Sequence, residues 1–281
     1  MCHTAVRRII SLIPRRNFSV TASTRMKVVP VPVREDNYAY LLIDEPSSKA
    51  AAVDPYDVPR IQAAADQLGV SIVAAITTHH HFDHSGGNEE FNTKYPTAPI
   101  YGGSDKIPRL TNLVKDKDEF VVCENIRVRC MATPCHTQDS ISYHVTDTAK
   151  QSQPGGVFTG DTLFIGGCGN FFEGTAEDMH AALSYLGTLP DETVTYVGHE
   201  YTAKNAAFAQ SVEPMNPDIT RLIRLCQENK VTTGKFTIGD EKSWNVFMRP
   251  QSEDIKKATG LTGDGVAIVR KLREMKNSFR G

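Results

Sequence analysis

Seven consecutive positions, Thr78-His79-His80-His81-Phe82-Asp83-His84, hold four imidazoles and a carboxylate, a concentration of side chains that bind metal. In an extended segment His79 and His81 face the same way by the period of two, whereas a turn at Gly86-Gly87 lets Asp83 and His84 face a second point nearby. One short stretch can therefore serve two ions. Imidazole and carboxylate without thiolate suit borderline divalent ions, zinc first, with iron, manganese or cobalt as alternatives.

A two-ion site needs more ligands, and three candidates stand in similar settings. His136 follows Thr133-Pro134-Cys135, Asp161 follows Phe158-Thr159-Gly160, and His199 follows Tyr196-Val197-Gly198. Each lies just past a β-branched or aromatic run and beside Gly or Pro, the pattern of a strand end. Two divalent ions side by side lower the pKa of water toward neutrality and stabilise the oxyanion formed at an attacked carbonyl, so no Ser or Cys nucleophile is required. A thioester suits such a centre, because a thiol with a pKa of about 8.5 leaves without a dedicated general acid. A closed, purely structural metal site in a binding protein would more typically use cysteines.

The elements that must position these groups are legible in the pattern. Residues 27–33, 38–43 and 50–53 read as strands, the first two joined by Arg34-Glu35-Asp36-Asn37 and the third closing on Asp54-Pro55. Asp54 is either a partner that orients a ligand or a turn former. Asp57 reads as a helix cap, with Pro59 in the first turn, Ile61, Ala64, Ala65 and Leu68 as the buried stripe, and Gly69 as the stop. Residues 72–76 then form the strand that delivers His79, and a short helix follows from Asn88 to about Lys94. A polar, mobile stretch is expected over 103–119.

Strands over 120–122, 126–129 and 141–145 follow, with His136 in the last connection. The seven glycines of 155–174 let the backbone turn sharply around Asp161. Thr175 caps a helix containing Met179, Leu183 and Leu186, and 194–197 is the strand feeding His199. Beyond Tyr201 the pattern is helical, around 202–212, 216–229, 252–258 and 264–278. The class is α+β: antiparallel runs forming a two-sheet sandwich with helices outside, and a helical C-terminal part.

Composition narrows the partners. Five of the 31 basic residues and none of the 33 acidic ones lie before residue 26, so the remaining chain is acidic and offers no general surface for nucleic acid. No apolar run approaches the ~18 residues that cross a bilayer. Residues 1–25 are rich in Arg, Ser and Thr, which is the composition of a mitochondrial transit peptide, and Met26 could open a cytosolic form. Cysteines 2, 123, 130, 135, 168 and 226 show no paired spacing, as expected of reduced thiols, with Cys135 and Cys168 read as core packing.

The words TTHHHFDHSGGN, ATPCHT, FTGDTLFIGGCG, FFEGT, VGHEYT and NVFMR, spread over residues 77–249, resemble the metallo-β-lactamase superfamily and within it the hydroxyacylglutathione hydrolases, or glyoxalase II. The resemblance covers nearly everything after Met26. It implies a metallo-β-lactamase-like αββα sandwich over 26–200 with a helical substrate-binding domain over 201–281, acting as a monomer on S-(2-hydroxyacyl)glutathione in the second step of methylglyoxal detoxification. It further implies two divalent ions per chain: His79, His81 and His136 hold one, Asp83, His84 and His199 the other, and Asp161 bridges them. Asp83 and Asp161 are the carboxylates at the chemistry. His80, His144 and His180 receive no role, His80 being expected to support the site from outside.

Substrate contacts depart from the family pattern. Asn170 and Phe172 stand where the family commonly carries a basic residue and a closing aromatic, often Tyr, while Tyr201 and Arg249 match the other glutathione contacts. A basic residue expected soon after Arg249 is displaced to Lys256 and Lys257. The same fold hosts a single-iron dioxygenase acting on glutathione persulfide, similar around His79 and His136 but without the FMR-containing helical region. The hydrolase reading is preferred.

Overall fold

The computed structural model describes residues 26–280, so the basic leader expected over 1–25, with Cys2 inside it, lies outside the described residues. In chain order the elements are β1 (Met26–Val33), β2 (Asn37–Asp44), β3 (Lys49–Val53), α1 (Val58–Leu68), β4 (Ser71–Ile76), α2 (Phe82–Ser85), α3 (Asn88–Lys94), β5 (Ile100–Gly102) and β6 (Asn112–Leu113). Then come β7 (Glu119–Val122), β8 (Ile126–Ala132), β9 (Ile141–Asp147), β10 (Gly156–Gly160), β11 (Leu163–Phe164), β12 (Gly167–Cys168), α4 (Ala176–Leu186) and β13 (Val194–Val197). The chain finishes with α5 (Thr202–Val212), α6 (Pro217–Glu228), α7 (Ile238–Trp244), a 3-10 turn (Val246–Met248), α8 (Glu253–Thr259) and α9 (Gly265–Ser278).

The first sheet has the order β1-β2-β3-β4-β5-β6 and the second β13-β10-β9-β8-β7. Between the sheets Tyr40, Leu42, Val53 and Ile76 meet Val128, Cys130, Tyr143 and Phe158. The outer face of the first sheet is closed by Ile61 and Ala65 of α1 and Phe91 of α3. The outer face of the second sheet presents Met131 and Val157, and all the helices from α4 to α9 contribute to the single core that covers them. The result is a four-layer αββα sandwich in which the C-terminal helices share a core with the second sheet. They are not a separately packed appendage.

The strand directions place the site. β3 and β4 are parallel neighbours. In the second sheet β8 is antiparallel to β9, β9 to β10, and β10 parallel to β13, so β8, β10 and β13 point the same way. Their carboxyl ends therefore gather at one edge of the sandwich, where α/β sheets place ligand sites. Two cross-sheet backbone bonds fasten that edge, Ile141 N donating to Thr78 O and Tyr38 N to Gly198 O, and Gly198 N donates to Gly160 O within the second sheet, each at 2.9 Å.

Four local expectations change. Leu68 is 38% exposed, and the buried stripe of α1 is Val58, Ile61 and Ala65. The stretch 103–119 is anchored by buried Ile107 and Val114, and β6 within it pairs with β5. Gly86 and Gly87 keep ordinary negative φ values and sit between two helices. Asp83 and His84 are accordingly aimed by the single turn of α2. The α7 helix was not expected, although its capping box, Thr237 with Asp240, stands in the sequence.

Candidate metal centre

Each ligand candidate owes its position to the residue that stops its strand. Beyond β4, Thr78 is held by Asp54, whose Oδ1 accepts from Thr78 N and whose Oδ2 accepts from Thr78 Oγ1, both at 2.7 Å. Asp54 itself adopts a left-handed backbone, φ 48°, which Asp tolerates better than most side chains. Gly198 precedes His199 because a Cβ there would lie 2.2 Å from Asp161 Oδ1. Gly160 precedes Asp161 at φ +48°, and a Cβ there would meet Thr78 Oγ1 at 2.6 Å.

Two ligand sets converge. His79 Nε2 and His136 Nε2 lie 3.2 Å and 3.0 Å from His81 Nδ1. His199 Nε2 lies 3.3 Å from His84 Nε2 and 3.4 Å from Asp83 Oδ2. Asp161 stands between them: Oδ2 is 3.4 Å from His136 Nε2 and 3.3 Å from His199 Nε2, while Oδ1 is 3.3 Å from His84 Nε2. All seven expected metal ligands therefore meet at one place. Asp161 Oδ1 is buried without a hydrogen-bond partner, which is costly unless a cation satisfies it. An orphaned carboxylate oxygen between two groups of nitrogen and oxygen donors fits two divalent ions.

The outward ring nitrogens are also engaged, which fixes the tautomer each imidazole presents. His84 Nδ1 meets Asp54 Oδ2 at 2.9 Å, His199 Nδ1 meets Asp36 Oδ1 at 2.9 Å, and His136 Nδ1 meets the Asn170 carbonyl at 3.0 Å. Asn37 Nδ2 donates to Asp83 Oδ2 at 2.8 Å. In the sequence Asp36 and Asn37 read only as turn residues. Their signal was weak, since an acid in a hairpin turn is ordinary turn chemistry. His80 turns outward, its Nδ1 2.8 Å from Asp139 Oδ1.

Electrostatics divides the imidazoles. Burial first, and neighbouring imidazoles second, hold His79, His81 and His136 below the usual histidine range, as neutral ligands require. Burial pulls His84 and His199 the same way, yet Asp161, helped by Asp54 and Asp83, overcomes it and raises both, His199 to about 10. Asp161 and Asp83, which burial alone would raise, are pulled below the carboxylate range by those same histidines. The cysteines are inert, burial pushing Cys123, Cys130, Cys135 and Cys168 each up to about 12.

Of the four expected substrate contacts, three reach the site. Tyr201 stacks on His199 with ring centroids 4.8 Å apart, and burial pushes its phenol up to about 12, so it remains a neutral donor. Asn170 lines the adjoining cavity, and Phe172, 65% exposed, lies 5.1 Å from the His136 ring at the mouth. Arg249 is not brought there: its Nη2 donates to Glu213 Oε1 at 3.2 Å and its Nη1 to Oε2, a carboxylate buried beneath it.

Residues 55–199 match the metallo-beta-lactamase superfamily, and residues 200–279 match the hydroxyacylglutathione hydrolase C-terminus. A probable hydroxyacylglutathione hydrolase of Schizosaccharomyces pombe is 44% identical over 248 residues, 86% of this chain and 94% of its own length. The cytoplasmic hydroxyacylglutathione hydrolase of Arabidopsis thaliana is 41% identical over 261 residues, 91% of this chain and all of its own. A metallo-beta-lactamase from Staphylococcus aureus superposes with a TM-score of 0.62 at 24% identity, over 89% of this chain and 72% of that one, a likeness of fold alone. With its ligand cluster at the strand ends and its helical C-terminal part, the chain belongs to the hydroxyacylglutathione hydrolase family of the metallo-beta-lactamase superfamily.

Proposed function

We propose that the protein is a two-metal thioester hydrolase cleaving S-(2-hydroxyacyl)glutathione, S-D-lactoylglutathione in particular, to a 2-hydroxy acid and glutathione. The observation that carries this reading is Asp161, placed between two complete ligand sets with one buried oxygen unpartnered. His79, His81 and His136 would hold one ion, zinc first, and Asp83, His84 and His199 the other, with Asp161 shared. Bound there, divalent ions supply a lowered water pKa and a Lewis acid for the carbonyl oxygen.

The chain's own contribution is orientation. Asp54, Asp36 and the Asn170 carbonyl hold three imidazoles in one tautomer, and Asn37 aims Asp83. The Phe172 ring screens His81 and His136 from water on one side, and the Tyr201 phenol offers a donor to the substrate on the other. The departing thiol needs no proton donor at its ordinary pKa of about 8.5. The complete second set, Asp83, His84 and His199, is what a single-iron dioxygenase would not need.

The test is steady-state hydrolysis of S-D-lactoylglutathione by the full chain, with metal quantified on the same sample. Turnover with about two ions per chain is the expected result. No turnover at that loading overturns the thioester assignment, and a single iron with oxygen uptake on glutathione persulfide replaces it. The acid-free, Arg-rich residues 1–25 support a matrix location with a cytosolic form from Met26. N-terminal sequencing of the cellular protein that finds neither a start at Met26 nor a cut just upstream contradicts it.

A further inference from the structure

Between β12 and α4 the chain passes the metal cluster at His136, and the three residues that do so, Asn170-Phe171-Phe172, form a lip stretched between two fixed points. Upstream, Gly169 N donates to Thr162 O at 3.2 Å, and a Cβ on Gly169 would clash with the Asp161 carbonyl oxygen. Downstream, Glu173 N donates to Cys135 O at 3.3 Å, and a Cβ on Gly174 would lie 2.6 Å from Cys135 Cα. Between these points the Asn170 carbonyl meets His136 Nδ1 at 3.0 Å, and the Phe172 centroid lies 5.1 Å from that of His136 and 6.0 Å from that of His81. Asn170 and Phe172 are exposed, and Phe171 alone of the three packs against the core. The lip's position therefore depends on what holds its ends.

At the downstream end the holding is concentrated on one side chain. Glu173 Oε2 accepts from Gln138 N at 2.7 Å, and Gln138 Nε2 donates to Glu173 O at 2.8 Å. Glu173 Oε1 faces Lys106 Nζ at 3.4 Å and His80 Nε2 at 3.7 Å. The exposed Lys106 pair contributes little by itself, but His80 is fixed: its Nδ1 lies 2.8 Å from Oδ1 of buried Asp139, whose Oδ2 accepts from Ser104 Oγ at 2.8 Å. The one imidazole of the metal motif that turns away from the cluster thus meets both the loop after His136 and the residue that closes the lip.

We propose that Glu173, seated by Gln138 and His80, is a positioning residue that latches the Asn170–Phe172 lip. The latch keeps the Asn170 carbonyl on His136 and the Phe172 ring at the mouth before substrate arrives. A latched lip has already lost the backbone freedom that a loose one would surrender on binding. The part of this assignment that concerns substrate rests on the glutathione thioester reading, and the part that concerns His136 does not.

The experiment compares the zinc-loaded full chain with Glu173→Ala, Glu173→Gln and Gln138→Ala. Zinc release to a chromogenic chelator reports on the ligands. Steady-state hydrolysis of S-D-lactoylglutathione and calorimetric titration with S-methylglutathione report on the lip. Glu173→Ala is expected to release one of its two ions about 10-fold faster and the other at the parent rate. Its KM, and its Kd for S-methylglutathione, should rise about 10-fold with kcat nearly unchanged. Glu173→Gln keeps an acceptor for Gln138 N and should restore most of both. Gln138→Ala, at an exposed position, opens the latch from the other side and should reproduce the rise in KM, so it decides the matter if Glu173→Ala fails to fold.

Unchanged zinc release and unchanged Kd in Glu173→Ala would mean that the lip holds itself. Equal loss of both ions with a lowered Tm would reduce Glu173 to general support of the fold, and a fall in kcat as large as that in kcat/KM would move it to the chemistry. Any of these overturns the proposal. Faster release of one ion from a chain that never hydrolyses S-D-lactoylglutathione would sink the proposed activity while leaving the latch standing.

Discussion

Asn170 serves the site with its backbone and leaves its side chain at the cavity, so a substitution there can change substrate affinity without touching the ligand cluster. Its carbonyl holds His136 Nδ1 at 3.0 Å, and the residue is exposed. Asn170→Lys would add a cation to the cavity that Asn170 lines beside the ligand cluster. The expected outcome is a KM for S-D-lactoylglutathione about 10-fold lower with kcat retained, from one charge-assisted hydrogen bond; an unchanged KM would remove Asn170 from the contact. Asp54 is the complementary case, buried and holding both Thr78 and His84. Asp54→Asn keeps a residue suited to the left-handed backbone but replaces one acceptor by a donor. It should weaken metal retention about 10- to 100-fold, read by metal content after dialysis against a chelator, with the far-ultraviolet spectrum unchanged. The seven candidate ligands were legible at this scale because they lie just past apolar runs, although α2 and not strand spacing aims Asp83 and His84. Asp36 was not, because its partner His199 is 163 positions away and a hairpin acid looks the same with or without one.

At the scale of elements, α7 ties the helical part to the turn between β11 and β12, and the tie is a buried carboxylate. Glu241 accepts from Gly166 N at 2.9 Å, Trp244 Nε1 at 2.9 Å and Asn245 Nδ2 at 2.8 Å, and Asn245 Nδ2 also donates to Gly167 O at 3.0 Å. Complete burial pushes Glu241 up to about 7 against those donors. A folded value above the unfolded one means that the native state holds the extra proton between the unfolded value, about 4.3, and about 7. This contribution is fully present below the unfolded value and is lost as pH rises through the folded one. Thermal unfolding of the chelated protein should therefore show stability falling from pH 5.5 toward pH 7.5 more steeply in the parent than in Glu241→Gln, at about the window of these pKa values. Parallel curves would show that the carboxylate is ionised throughout. None of this was foreseen, because seven residues of mixed polarity give no period to recognise, and only Thr237 and Asp240 announced the helix. The longer α4, α5, α6 and α9 were visible because several turns of apolar spacing reinforce one another.

Across the whole molecule, the four-layer order could be inferred from alternating strands and flanking helices, but the sharing of one core between the second sheet and α5–α9 could not. Strands buried on both faces, such as β10, carry no mark of which layer covers them. That shared core makes the ligand edge a junction of both sheets, and its charge balance makes stability a metal-linked property. Without cations, protons on His84 and His199 offset Asp161, Asp83 and Asp54, since both histidines are raised, His199 to about 10. The metal-free protein loses that contribution as pH rises through the folded values. Ion binding needs the same nitrogens unprotonated, so affinity for the ion strengthens as pH rises. The tighter binding at higher pH widens the gap between loaded and stripped protein. At free metal about 100-fold above Kd the stabilisation is about 2.7 kcal/mol, several degrees in Tm for a chain of this size. Calorimetry with and without chelator should accordingly show a Tm difference that is larger at pH 8 than at pH 6 and is restored by adding back zinc. A difference that is absent, or larger at pH 6, would mean that the ions are not held by His84 and His199.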